Sequence, residues 1–259
     1  PRRYDLDWLR IIAFAVLIFY HIGMFFNTEG WHAKSVHANS VIEPIMWLSS
    51  PWRLPLLFFI SGVALRFLSD KLGAGRLAWD RTVRFVPVIL FGAFVIIPPQ
   101  TYSEVVQAGV FSGDYWTFYR LYAFELGGPW EVITPTYNHL WYVVYLLVYS
   151  LLLAPLMPLM RSVFDSPAVR KASGFVQRNP FGLAALIVVP VLPFIVYRLT
   201  LVPYFPTTHA LVGDWANHAI SLTFLLLGYG LAKNRELWLA IDRLMPVSLA
   251  ITLATLAGL

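Results

Sequence analysis

The chain has no cysteine. Disulfides, thiolate metal sites and a cysteine nucleophile are therefore excluded. Charge is almost as scarce: only 13% of the 259 residues are Asp, Glu, Lys or Arg, while 58% are hydrophobic and the mean hydropathy is +0.65. Soluble domains carry roughly 25% charged residues, so this composition is that of an integral membrane protein. The alternating apolar and polar strands of an outer-membrane barrel are missing too, which makes an all-α, polytopic transmembrane helix bundle the expected fold class. Glycine-rich phosphate loops, a G-x-S-x-G nucleophile elbow and an internal repeat are not found. Neither His-x-x-x-His nor His-x-x-Glu-His spacing occurs among the six histidines, so no metal site is expected. A cleavable signal peptide is not evident, because the first apolar run is too long and no small-residue cleavage site follows it.

What is present is a series of apolar runs. Hydropathy and breakers place seven spans near 8–26, 44–65, 82–98, 139–160, 182–202, 217–232 and 244–259. The last stops while still apolar, so residues 1–259 read as a single transmembrane domain truncated at its C-terminus. Basic residues fix the orientation. Of the 19 Lys and Arg, 14 fall before the first span or in the loops after the second, fourth and sixth. The alternate loops hold Lys34, Arg120 and Arg198 among several Glu and Asp, so the N-terminus is expected in the cytoplasm. The net charge of +5 then reflects cytoplasmic loops, and no nucleic-acid partner is expected. The membrane lipid itself is the expected surrounding. Between Pro98 and Asn138 the run Tyr115–Tyr122 is aromatic and mildly amphipathic, which predicts an interfacial helix over the outer mouth.

Arg10 and His21 lie inside the first apolar run, Trp8–Phe26, where an ionisable side chain is a functional candidate by default. Eleven residues separate them, which is three helical turns plus roughly 20°, so both project from one face about 16 Å apart along the axis. Two readings fit. In the functional one, Arg10 grips a phosphorylated cytosolic ligand and the imidazole of His21 takes a proton from a hydroxyl. In the structural one, Arg10 is a snorkelling anchor and His21 a bond between helices.

Other motifs are weaker alone. Ser61-Gly62 in the second span is a helix-packing notch or a polar contact for substrate. Arg81 and Arg84, at i and i+3, share a face and grip a nucleotide phosphate or simply satisfy the positive-inside bias. His139 at the start of the fourth span, and Asp214, Asn217 and His218 at the start of the sixth, lie at the level of His21 and are candidates for a polar lining around a hydroxylated substrate. His32 and His37 fall in an outer loop of mobile character.

In their order and spacing, several of these motifs resemble the membrane-bound acyltransferase 3 family, and within it the glucan biosynthesis protein C type. They are Asp7-Trp-Leu-Arg10 with His21, Phe58-Phe-Ile-Ser-Gly62, Arg81-Thr-Val-Arg84 with Pro87, and His139-Leu-Trp141. The resemblance implies a bundle of about ten helices, of which this chain lacks roughly three, in the inner membrane of a bacterium. It implies transfer of an acyl group from cytosolic acyl-CoA, a donor substrate rather than a resident cofactor, to a sugar hydroxyl of a periplasmic or cell-envelope glycan. By the same resemblance His21 is the general base, paired with Arg10, and Arg81 and Arg84 contact CoA. Members of the family O-acetylate or succinylate, and Arg53 is the candidate to match the second carboxylate of a succinyl group. The competing expectation is a polytopic transporter with Arg10 and His21 in an intramembrane relay.

Overall fold

The computed structural model describes residues 3–125, 130 and 133–257. Arg2 and Glu131, counted among the loop charges, and the last two residues of the seventh span lie outside them. Every regular element among the described residues is helical: α1 (Tyr4–Phe26), α2 (Glu43–Ser49), α3 (Arg53–Ser69), α4 (Ala74–Phe91), α5 (Ile97–Gln107), α6 (Tyr115–Phe124) and α7 (Trp141–Leu153) form the first half. The second half is α8 (Met157–Phe164), α9 (Pro167–Arg178), α10 (Pro180–Val188), α11 (Leu192–Thr200), α12 (Trp215–Leu231) and α13 (Arg235–Ala257). The chain is thus an all-helical, polytopic bundle, and six of its helical segments are long and apolar enough to cross a membrane.

They are Tyr4–Phe26, Ser40–Ser69, Ala74–Gln107, Asn138–Phe164, Pro180–Thr200 and Arg235–Thr255. Seven were expected. The sixth of these, 217–232, falls on α12, a helix of 17 residues. At 1.5 Å per residue it extends about 26 Å, less than the roughly 30 Å hydrocarbon core. It is packed along α3, part of the segment Ser40–Ser69. Their backbones meet where side chains are absent: a Cβ on Gly62 would lie 1.9 Å from the carbonyl oxygen of Leu225, and one on Gly228 would lie 1.9 Å from that of Phe59. Small residues permit this approach in a medium where van der Waals contact drives helix association. The notch reading of Gly62 is therefore the observed one.

The core fills the space among α3, α4, α7 and α12 with Leu57, Phe58, Leu65, Leu77, Tyr142, Tyr145, Tyr149, Leu225 and Tyr229. By contrast the apolar side chains of α1 outside one stripe, such as Ile11, Ile12, Phe19 and Ile22, are at least half exposed, as suits a face turned to lipid.

Proline chemistry docks α6. Pro98 has no N–H, and between α4 and α5 the turns Gly92–Ile96 widen to a π-helix in which the amide of Ile97 bonds to Gly92. The carbonyls of Ala93 and Phe94 lose their ordinary helical donors as a result. Tyr122 and Tyr119 of α6 donate their hydroxyls to them, at 2.8 and 3.0 Å. So the aromatic helix expected at Tyr115–Tyr122 is present, anchored by the backbone groups that the prolines set free.

One positive-inside residue is not at the surface. Arg66, expected in a loop, lies in the last turn of α3 at 2% exposure, donating to Asp70 at 2.7 Å and Asp165 at 2.5 Å. Lys233 also pairs with Asp70. These contacts tie α3 to the start of α9 and the end of α12.

Candidate functional site

One stripe of α1 builds the site. Arg10, Ala13, Leu17, His21 and Met24 recur at helical spacing, and Ala13 and Met24 are buried where the stripe meets its neighbours. His21 places Nδ1 2.7 Å from the carbonyl oxygen of Leu17, one turn back. A carbonyl only accepts, so Nδ1 carries the proton and Nε2 of the neutral ring holds a lone pair. Nε2 has no hydrogen-bond partner among the described residues. Around it stand the Trp31 ring, with centroid 5.5 Å away, and the His139 ring, at 6.0 Å.

The loop after α1, read from sequence as mobile, is tied down. Lys34 donates to the carbonyls of Met24 and Asn27 and to the Asn27 side chain, satisfying helix-end oxygens. Glu43 of α2 accepts from the amide and hydroxyl of Thr28, at 2.9 and 2.5 Å. His32 donates from Nδ1 to Glu104 at 2.5 Å, and its Nε2 meets the side-chain amide of Asn138, 2.7 Å from Nδ2 and 2.9 Å from Oδ1. The Glu104 carboxylate holds the His32 pKa above the ordinary histidine value of 6.5. His32 thus bridges α5 to Asn138, the residue before His139. Its neighbour Trp31 is thereby laid against His21. Sequence reasoning missed Trp31, His32 and Glu104, because their meeting depends on chain closure over 72 residues between His32 and Glu104.

Toward the basic end of the bundle the same helices place a second group. Ser61 of α3 lies 2.7 Å from the Tyr142 hydroxyl of α7, which also donates to the carbonyl of Leu57 at 3.2 Å. Arg10 and Arg81 both lie close enough to act electrostatically on that hydroxyl. Arg81 is half-buried against Phe85, and its Nε has no hydrogen bond. Arg84 does not join it: its side chain is 69% exposed and pairs with Asp80 at 2.9 Å. The two arginines share a helix side in register, yet one turns inward and the other outward.

Arg53, the first residue of α3, is buried within electrostatic reach of His21. Thus Arg10, Arg81, Ser61, Tyr142, His139, His21 and Arg53 follow one track along α1, α3, α4 and α7.

Asp214 and His218 belong elsewhere. Asp214, fully buried, accepts from the Tyr145 hydroxyl at 2.7 Å, from the amides of Thr208 and His209, and from Asn217 at 2.8 Å. His218 donates from Nε2 to the carbonyl of Leu211 at 3.0 Å, accepts from the Tyr149 hydroxyl at Nδ1, 2.8 Å, and stacks on Tyr145. Both bind the loop before α12 to α7. Neither touches His21 among the described residues, although sequence placed them at its level. No group of three or more His, Asp or Glu among the described residues converges as a metal site would require.

The geometry thus offers a proton acceptor held open within an apolar bundle, with Arg81 turned inward toward the basic end and Arg10, half exposed, paired with Asp7 at 3.6 Å. Comparison with known proteins gives this arrangement a family. The acyltransferase 3 model, an acyltransferase domain, matches residues 3–259. No curated protein and no solved structure matches the chain. From residue 3 to its end, the chain belongs to the acyltransferase 3 family of membrane acyltransferases.

Proposed function

We propose that the chain is an O-acyltransferase of a bacterial inner membrane, moving an acetyl or succinyl group from cytosolic acyl-CoA to a sugar hydroxyl of a periplasmic or cell-envelope glycan. The observation that carries this reading is His21: its Nδ1–H is fixed on the Leu17 carbonyl, so the free Nε2 is positioned to accept a proton. Nucleotide phosphates rest against Arg81, with Arg10 beside it and Arg84 at the rim. Each guanidinium supplies paired donors for phosphate oxygens. The pantetheine arm follows the track past Ser61 and Tyr142, which brings the thioester to His21.

The acceptor hydroxyl enters from the opposite side, beside Trp31 and His139. His21 Nε2 takes its proton as the oxygen attacks the thioester carbonyl; the carbon–sulfur bond then breaks and the departing CoA thiolate takes the proton back from the imidazolium. A periplasmic glucan is the acceptor that the glucan biosynthesis protein C resemblance supports.

The test is transfer of label from acetyl-CoA and succinyl-CoA to glycan in membranes holding the chain. A general base contributes about 10²- to 10⁴-fold, so His21→Ala is expected to lower transfer by that factor with folded protein retained. Transfer by His21→Ala at the parent rate would remove His21 from the chemistry.

A further inference from the structure

Arg53 is 6% exposed, and its guanidinium has no acidic partner among the described residues. Nη1 donates to the hydroxyls of Ser49 and Ser50, at 3.2 and 3.1 Å. Its face lies on the Tyr20 ring, with Cζ 3.3 Å from the centroid. Nε is buried and makes no hydrogen bond. The first turn of α3 has no acidic residue. Burying a cation without a counter-charge is costly, and proteins tolerate it where a ligand completes the pair.

The other internal cation shows the contrast. Arg66, as deeply buried on the same helix, has two carboxylates. Arg53 instead has neutral hydroxyls, an aromatic face and an unused Nε donor, within electrostatic reach of the candidate base. Tyr20 contacts both, its ring under the Arg53 guanidinium and 6.0 Å from that of His21.

We infer that Arg53, with Ser49, Ser50 and Tyr20, forms a carboxylate subsite beside His21, so that one of the two substrates carries an anion next to its reacting group. This rests on the acyltransferase reading. The edge through Nε suits a carboxylate held by two parallel N–H donors. Such a carboxylate comes from either of two sources, the far end of a dicarboxylic acyl group or an acidic sugar of the acceptor.

The test crosses the sources. Membranes holding the full chain receive acetyl-CoA or succinyl-CoA, each with a neutral glucan or a uronic-acid glycan, for the parent, Arg53→Gln and Arg53→Lys. If the anion is on the acyl group, Arg53→Gln lowers kcat/KM with succinyl-CoA by at least about 30-fold and with acetyl-CoA by less than about threefold on both acceptors. If it is on the acceptor, the loss follows the uronic acid with either donor. Arg53→Lys, which keeps the charge without the fork, recovers part of the loss. An equal loss in all four combinations, or none, overturns the subsite and leaves Arg53 as a structural residue.

Should the parent transfer neither group, the thermal midpoint of purified protein decides. A rise in succinate that neutral succinamide does not give, and that Arg53→Gln abolishes, retains the subsite while the acyltransferase reading fails. No such rise overturns both.

Discussion

Two histidine clusters meet at α7, one through His139 just before it and one at Tyr145 and Tyr149, and they differ in what is left over. Around His218 the key groups are matched: Asp214 takes four donors, and His218 gives and receives one bond each. Around His21 the bonds stop short: among the described residues Nε2 has no hydrogen-bond partner, His139 makes ring contact alone, and Arg53 has no carboxylate. Buried polar groups are ordinarily satisfied because an unmet donor costs about 1–3 kcal/mol. A cluster that meets the rule builds structure, and one that leaves the buried Nε of Arg53 unpaired near the open Nε2 of His21 is arranged for a ligand.

The comparison breaks most visibly at Asp214. Replacing it by Ala strands two backbone amides, a tyrosine hydroxyl and Asn217, so a loss of roughly 3 kcal/mol or more is expected. In detergent this appears as a thermal midpoint several degrees lower, with transfer per folded molecule little changed. An unaltered midpoint would mean that the matched cluster is not structural.

Arg81 and Arg84 sharpen the same distinction at the basic end. Arg81→Gln is expected to raise the acyl-CoA concentration for half-maximal rate by about tenfold or more, as removal of a charge-assisted bond requires. Arg84 already has Asp80, and Arg84→Gln should raise it by no more than about threefold. Equal effects would return the pair to the single grip that their spacing suggests.

The smallest effect concerns His32. Its pKa is raised in the folded protein by Glu104, so the stability it contributes is fully present below the unfolded value near 6.5 and is lost as pH rises through the folded one. The midpoint of the parent should therefore exceed that of His32→Gln in mild acid, and the gap should narrow as pH increases from 6.5. A gap independent of pH would exclude the ion pair as the tie that holds Trp31 over His21.

Much of this was legible in the sequence, and the reasons are physical. Long apolar runs must be helices in a membrane, so six of seven spans were placed, and the period of α1 put Arg10 and His21 on one face before any fold was known. What a period cannot tell is which partners arrive from elsewhere. Asp214 and His218, expected at the level of His21, bind Tyr145 and Tyr149 instead. Arg81 and Arg84 differ by 60° about one axis, enough to put one in the bundle and the other outside it. His32 and Trp31 reach the site through Glu104 and Asn138, and Arg66 leaves the surface through Asp165, contacts made by closure that no local pattern encodes.

The most direct measurement sets the two histidines side by side. His21→Ala and His218→Ala, made in the same chain and assayed for both thermal midpoint and transfer of labelled acyl groups to glycan, should separate completely. The account predicts that His21→Ala keeps its midpoint and loses transfer, while His218→Ala loses several degrees and keeps transfer per folded molecule. The opposite ordering, or two variants that lose both together, would contradict it.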